Sequence, residues 1–439
     1  MLWRWAYNGM LLPLLLGLAL VAALVSPKVR ASLLGRLGLW GRLRAQAASL
    51  RDDAPVVWFH VSSAGEYQQA LPLLLRFSQA GYQLALTFSS VSGLNWWRQS
   101  LRDVPGASLP PAGVADYLPL DLPWAMHRLV ALLRPAALIY VKYDLWPNLV
   151  WAAGRAGVPQ FLVSATLHAR SGRTRSPLGR AFYRPLYLSL RAILCVSQGD
   201  RQRFLDTAPT HPDISVQGDT RADMVLYRRG HHPPPPVPPE FRQPPVVLAG
   251  STWPPDEALL TPALLAALAE FPSLRVIIAP HEISQTHLRG LEARFAAHGT
   301  LRLGQAGAAD PAGVASTAGV ARVLLVDQVG VLAPLYGHAS LAYVGGAFTS
   351  GVHNVMEPAA MGAAVCFGPR YGNAPEAQHM VEQGIAHSVS RVEEFAALLR
   401  RGLQDPAYWA GLGQEARRYV ESLAGAAERS FLQIQEAMA

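Results

Sequence analysis

The sequence predicts an α/β protein with two parallel-sheet units and an apolar helix at its N-terminus. Three observations carry this. From residue 56 onward, short continuous apolar runs alternate with helix-length segments, the pattern of buried parallel strands joined by crossover helices. A proline-rich stretch beginning at Pro233 divides that pattern into two halves. The 439 residues also exceed one ordinary domain. Apolar residues make up 51% of the chain and charged residues 15%, so both halves can build a core.

A formal charge of +8 suits an anionic membrane face, an anionic sugar nucleotide or a nucleic acid, without choosing among them. Cys195 and Cys366 both fall in apolar strand-like runs and read as buried free thiols; no metal-ligand spacing is present.

Taken in order, residues 9–26 form an uncharged, leucine-rich run, slightly short of the roughly twenty residues of a full membrane span. Trp3, Trp5 and Tyr7 precede it as candidate interfacial anchors. Lys28, Arg30, Arg36, Arg42 and Arg44 follow it, while Arg4 stands almost alone on the other side. That bias places the body in the cytoplasm, and the position of the positive cluster argues against a cleaved signal peptide. The run is therefore a retained single anchor or a shallowly inserted helix. Residues 33–50 read as a basic amphipathic helix, on a membrane surface or packed on the protein.

In the first half, strands are expected at 56–61, 83–88, 116–119, 137–141, 160–164, 192–196 and 215–217. Helices are expected at 67–80, 124–133, 143–156, 180–188 and 199–205. No G-x-G-x-x-G follows the first strand, so the usual dinucleotide fingerprint is absent. Residues 231–244 read as a polyproline linker. The second half is expected to contain strands at 246–250, 275–279, 323–326, 341–344 and 363–367. Its helices fall at 257–270, 284–298, 331–337, 376–382 and 392–400, with another starting near His353. Residues 306–319 read as a loose loop. The organisation is thus an anchor (1–28), a first domain (29–230), a linker (231–244), a second domain (245–408) and a helical tail (409–439) packing back across the domains.

Two stretches carry chemistry. Residues 344–369 run from a strand into Gly345-Gly346, a polar loop and a helix start, which would collect free N–H groups and a positive dipole end for a phosphate. Asn354 and Glu357, three apart, would suit the ribose or base of a nucleotide. The same pattern also fits a turn that merely tightens an α/β unit. After the first strand, Ser62-Ser63-Ala64-Gly65-Glu66 sets a carboxylate at a helix N-terminus, suited to a general base; Ser63 to Glu66 equally matches a capping box.

Together these motifs resemble the Kdo transferases, membrane-associated glycosyltransferases that add 3-deoxy-manno-octulosonic acid (Kdo) to lipid A precursor. The resemblance covers nearly the whole chain. It runs through His60-Val61-Ser62-Ser63-Ala64-Gly65-Glu66, Tyr117-Leu118-Pro119-Leu120-Asp121, Leu145-Trp146-Pro147-Asn148, Gly250-Ser251-Thr252 and the signature from Gly345 to Gly362, continuing into Phe367-Gly368-Pro369. It implies two Rossmann-like domains of GT-B type with sheets facing across a cleft, a CMP-Kdo donor, and inverting transfer that needs no metal and no cofactor. It supports Glu66 as the base. Ser63, Gly65, Lys142, Asp144, Arg170 and Arg173 are the candidates for acceptor binding. Arg221, Ser251, Thr252, His281, Gly345, Gly346, Asn354 and Glu357 are those for the donor. Arg170, Arg173, Arg175, Arg180 and Arg184 would meet lipid phosphates or anionic headgroups.

Three departures mark a divergent branch. Val141-Lys142-Tyr143-Asp144 keeps one carboxylate where the family usually has two. His281 stands where an arginine is common, and Arg221 where a lysine is common. Two other readings fit the same residues: a GT-B transferase using another CMP- or UDP-sugar and another lipid acceptor, or a non-catalytic membrane scaffold. Nucleic-acid binding lacks any supporting motif.

Overall fold

The computed structural model describes residues 2–103, 112–168, 171–231, 235, 237–307 and 321–438. Two compact units account for the chain, one formed by Met1–Met224 with Leu423–Ala439 and the other by Val225–Ser422.

The first unit holds strands β1 (Val56–Val61), β2 (Gln83–Phe88), β3 (Ala112–Tyr117), β4 (Ala137–Val141), β5 (Gln160–Ala165), β6 (Ala192–Cys195) and β7 (Ile214–Val216). They form one parallel sheet in the order β3-β2-β1-β4-β5-β6-β7. The second unit repeats the plan with β8 (Val246–Thr252), β9 (Arg275–Pro280), β10 (Thr300–Arg302), β11 (Val323–Leu325), β12 (Leu341–Val344), β13 (Ala364–Phe367) and β14 (Ala386–Ser388). Its order is β10-β11-β9-β8-β12-β13-β14, again all parallel. Strands such as β1, β4 and β13 are buried at every position, which explains their apolar sequence, broken in β1 by His60 alone. Each order reverses direction once, between β1 and β4 and between β8 and β12. In open α/β sheets, the loops leaving the strands beside such a reversal form the crevice where ligands bind.

Several boundaries differ from the sequence-based expectation. The chain leaves the first unit inside the helix Thr220–His231, and not in the proline-rich stretch at 231–244. That helix lies outside the sequence-based expectation, although it buries Ala222, Met224 and Val225. The tail is two helices, Pro406–Ser422 in the second unit and Ala426–Met438 in the first. Gly425, at φ +90°, breaks them apart, and Asp223 accepts hydrogen bonds from Gly425 N (2.7 Å) and Ala427 N (3.1 Å). Phe431 of the last helix then packs edge-on against Phe77 at 4.9 Å. The helix expected from 143 begins at Pro147, where the fixed φ of proline suits the first helical position. The helix expected near His353 begins at Met356 and spans only Met356–Met361. Part of the linker and residues 308–319 of the expected loop lie outside the described residues. Cys195 and Cys366 are free and buried, as read.

The N-terminus departs most. Residues 2–25 form one helical rod with a π-helical turn at Tyr7–Leu11. Residues 33–50 are not one helix: Pro27–Leu34 and Leu39–Ala47 flank a turn in which Gly38 takes φ +68°. Arg36 and Arg42 do not line a solvated face. Arg36 Nε donates to Leu118 O at 2.8 Å and its Nη2 to Ser89 O at 3.1 Å, while Arg42 pairs with the buried Asp116 at 2.7 Å. Tyr7 is no interfacial anchor either. It is 4% exposed and its hydroxyl donates to Asp121 Oδ2 at 2.9 Å. Asp121 also accepts from Asn148 N and Leu149 N, both at 3.0 Å, capping the helix Pro147–Arg155. Burial pushes the Asp121 carboxyl up to about 6, against the pull of those three donors.

Candidate active site

In the first unit, the loops that leave β1 and β4 build a cluster of two carboxylates at the sheet's reversal point. Ser63 caps the helix Ala64–Gln79, its Oγ accepting from Glu66 N at 3.3 Å. A capping box would send the Glu66 carboxylate back to Ser63 N. Here Glu66 Oε2 instead accepts from Ser62 N at 2.5 Å, one residue earlier, so the carboxylate curls over the end of β1. Across from it, Asp144 follows β4. Its Oδ2 accepts from the Ser62 hydroxyl and from Trp146 Nε1 at 3.1 Å, and faces His60 Nε2 at 3.3 Å. His60 is fully buried, with Nδ1 2.9 Å from Thr87 Oγ1 and Nε2 3.2 Å from Ser89 Oγ.

The two carboxyl groups titrate in opposite directions. Burial raises the Glu66 pKa and the Asp144 charge adds to this, outweighing the Ser62 N–H bond and the Lys142 and His60 charges that oppose it. Burial also disfavours the Asp144 charge, but hydrogen bonds from His60, Ser62 and Trp146, together with the His60 charge, hold its pKa below the usual carboxylate range. A pair split this way separates roles: Asp144 stays ionised and orders the loops, while Glu66 is the more basic group and the better proton acceptor.

The other residues read as acceptor-binding divide. Lys142 occupies the turn after β4 at φ +63°, where its charge favours ionised Glu66. Gly65 meets no steric demand, since an added Cβ would find only Ser63 Oγ at 3.9 Å. Arg173 does not simply face solvent: it donates to Tyr143 O at 2.6 Å and lies over the rings of Tyr143 (5.2 Å) and Tyr183 (4.6 Å), clamping the loop that carries Asp144. Arg170 lies outside the described residues. Arg175, Arg180 and Arg184 are exposed.

In the second unit, the loops leaving β8 and β12 meet. Gly345 has no room for a side chain, because an added Cβ would lie 2.1 Å from Ser251 O. Gly345 and Gly346 are expected on the donor side; for Gly345 the structure gives the approach of β8's own backbone as the reason. Gly346 sits at φ +94°, with its N–H donating to Asp256 Oδ2 at 3.1 Å. The buried Asp256 also accepts from Trp253 N at 2.8 Å and Tyr343 OH at 2.7 Å.

Thr252 does not offer its hydroxyl to a ligand. It is 1% exposed and donates to Glu257 Oε1 at 3.1 Å, whereas Ser251 is half-buried at φ +54°. His281 forms the middle of a three-ring stack, 4.5 Å from Trp253 and 4.6 Å from His353. Trp253 Nε1 donates to His353 Nε2 at 3.2 Å, which leaves the His353 proton on Nδ1. Burial and the neighbouring His281 lower the His353 pKa, favouring that neutral form.

Asn354 and Glu357 do come together, but not on one face of a helix. Asn354 precedes the short helix and its Oδ1 accepts from Met356 N at 3.1 Å. One of the N–H groups expected to be free for a phosphate is thereby occupied. Glu357 pairs with Arg228 at 3.3 Å; burial raises its pKa while Arg228 and Asn354 oppose the shift. Arg221 belongs to the first unit, paired with Asp219 at 2.7 Å, and Asp219 in turn accepts from Gln69 on the helix of Glu66 at 3.2 Å.

Sequence reasoning names His60, Ser62 and His353 only as motif members without a site role, and misses Trp253, Asp256 and Arg228. His60 was visible as the polar residue inside an apolar strand. Arg228 gave no signal, because its helix was not foreseen.

Residues 33–224 match the family model described as 3-deoxy-D-manno-octulosonic-acid transferase (Kdo transferase). Proteins named 3-deoxy-D-manno-octulosonic acid transferase are similar along most of the chain. The one from Haemophilus influenzae is 24% identical over 92% of this chain and 90% of its own. The one from Bordetella pertussis is 27% identical over 90% of this chain and 91% of its own. Among solved structures, the UDP-GlcNAc 2-epimerase of Neisseria meningitidis bound to UDP-GlcNAc superposes with a TM-score of 0.59 at 12% identity, over 87% of this chain and 99% of that one. That likeness is one of fold, the GT-B type.

Proposed function

Because the chain is a divergent member of the 3-deoxy-D-manno-octulosonic acid transferase family, and so a glycosyltransferase, we propose that it moves Kdo from CMP-Kdo to a hydroxyl of lipid A precursor (lipid IVA). The transfer inverts the anomeric carbon and uses no metal or cofactor. One observation carries the reading: within the family-matched residues, a buried glutamate with a raised pKa sits beside an aspartate held ionised.

In the step itself, the acceptor oxygen bonds to the anomeric carbon as its proton passes to Glu66, and the carbon–phosphate-oxygen bond breaks, leaving its electrons on CMP. CMP is a good leaving group, so positioning and charge stabilisation matter more than acid assistance. Asp144, with Ser62 and His60, holds the two loops in register beneath Glu66. In the second unit, Ser251, the His281 ring in its stack and the Asn354–Glu357–Arg228 group are the donor-side candidates. The apolar helix, with exposed Lys28, Arg30 and Arg44, supports attachment to the anionic cytoplasmic face of the bacterial inner membrane.

Full-length protein in detergent, given CMP-Kdo and tetra-acylated lipid A precursor in excess chelator, is expected to yield an acceptor heavier by whole Kdo units in mass spectra. Transfer from UDP-sugars alone would overturn the donor, and transfer only with added divalent metal would overturn the metal-free step.

A pH profile follows from Glu66. The base acts when ionised, so kcat/KM rises with pH through its pKa, and burial puts that limb above the range of an exposed glutamate. Lys142→Met removes a charge that favours the ionised form and is expected to move the limb to still higher pH. An unmoved or lowered limb counts against this arrangement.

A further inference from the structure

The helical rod Leu2–Val25 is long and apolar enough to cross a bilayer, but its attachments to the body run against crossing. We propose that it is a monotopic anchor, lying along one leaflet with its outer side in the acyl region and its inner side on the first unit. The proposal rests on the membrane association just described, and is independent of the sugar chemistry.

The start of the rod and the turn after the next helix are tied to the same body. Near its start, Tyr7 OH donates to Asp121. Asn8 and Asn148 exchange two hydrogen bonds, at 3.0 and 2.7 Å. Trp3 packs edge-on against Phe182 at 5.7 Å, and Arg4 lies 5.2 Å over the ring of Trp151. The π-helical turn starts at Tyr7, where the chain makes these contacts. Beyond the rod, Gly35 sits so close to Tyr117 that an added Cβ would lie 2.6 Å from its ring, and Arg36 is bonded to Leu118 O and Ser89 O. All of these residues belong to the first unit.

The chain between those ties is too short to span. Between Ser26 and Gly35 stands one helix, Pro27–Leu34, of eight residues. At about 1.5 Å per residue it covers roughly 12 Å. Ser26 therefore stays well within the roughly 30 Å of a hydrocarbon core, measured from Gly35. A crossing rod would put Tyr7 and Gly35 on opposite sides, yet both contact one domain.

The polar groups choose between an in-plane rod and a hairpin dipping tip-first. Lys28 and Arg30 follow the far end of the rod at once and are exposed. Their charges belong at headgroup level, which keeps that end at the interface. The exposed side of the rod is apolar along its length: Trp5 is 76% exposed, Leu14 59%, Leu18 57%, Val21 64% and Leu24 78%. Tyr7 and Leu12 on the inner side are buried. An in-plane helix ordinarily carries its own polar face. From Gly9 onward this rod is apolar all round, and its polar residues Arg4 and Asn8 are turned to the body.

The test uses full-length Leu2→Cys, Lys28→Cys and, as a marker of the body, Asp53→Cys, all at exposed positions, while native Cys195 and Cys366 are buried. Each variant is added to preformed sealed vesicles of phosphatidylethanolamine and phosphatidylglycerol, floated, and treated with a membrane-impermeant maleimide. All three cysteines are expected to label in intact vesicles. Labelling of Leu2→Cys or Lys28→Cys only after the vesicles are opened, with Asp53→Cys labelled before, overturns the proposal. Failure to float, with the chain self-associated instead, would show that a second copy covers the face and also overturns it. Transfer assayed on the same samples separates the two readings: same-side labelling without Kdo transfer removes the donor assignment and leaves the anchor standing.

Discussion

Replacing Glu66 by glutamine is expected to lower turnover by about a hundredfold or more, the range for loss of a general base, while CMP binding stays at its wild-type level. Glutamine keeps the shape of the side chain, and its amide oxygen can still accept from Ser62 N, the bond that curls the native side chain over the end of β1. The helix cap at Ser63 is untouched, because it uses the backbone N–H of Glu66. Burial disfavours the charge that the substitution removes, so the variant has no reason to unfold more easily. A purely structural Glu66 would therefore be replaced almost silently. Near-normal transfer by Glu66→Gln, with an unchanged melting temperature, would refute the base assignment. Glu66→Ala is the poorer test, since it also removes the acceptor for Ser62 N.

The second large effect is on stability and lies at Asp256. Its side chain accepts from Trp253 N, Gly346 N and Tyr343 OH, and it is fully buried. Alanine there leaves three donors without their partner, at about 1–3 kcal/mol for each that stays dry. A loss of about 3 kcal/mol overall lowers the melting temperature of a unit of this size by roughly 6–12 °C. The damage is local as well, because Asp256 joins the start of the helix Pro254–Glu270 to the turn at Gly346. CMP affinity is therefore expected to fall with stability, read by calorimetry below the transition. Asp256→Asn retains one acceptor oxygen and should fall between the two. Wild-type melting and CMP binding in Asp256→Ala would show that the β8 and β12 loops are held by something else.

Much of the fold was legible because its strands are buried on both faces. A doubly covered strand is apolar at most positions, so β1, β2, β4 and β12 stand out with their observed limits. Helices near the surface were less legible. Thr220–His231 is marked by Asp219 at its start and by basic residues in its last turn, signals that the neighbouring proline stretch masks. The proline stretch looked like a boundary because prolines end regular structure, yet the units part inside that helix. At the site, motif spacing located Glu66 and Asp144 but not the bonds between their loops.

The roles of polar residues were the least legible part. Thr252, Arg36, Arg42 and Tyr7 looked available for ligand, lipid or water, and each is spent on an internal partner. Glu257, Leu118, Asp116 and Asp121 stand far from most of these residues in the chain, and no local rule links them.

What the amino-acid order alone determined was the alternation of strand and helix, and the placing of turns at strand ends, because burial and backbone geometry act over a few residues. The tertiary structure decided which polar groups meet there. It turned a serine, a histidine and a tryptophan toward Asp144, left Glu66 the more basic carboxylate, and fastened the start of an apolar rod and the turn at Arg36 to one domain. Desolvation and hydrogen bonding depend on neighbours brought together only when the sheet closes, so those properties arise with the fold.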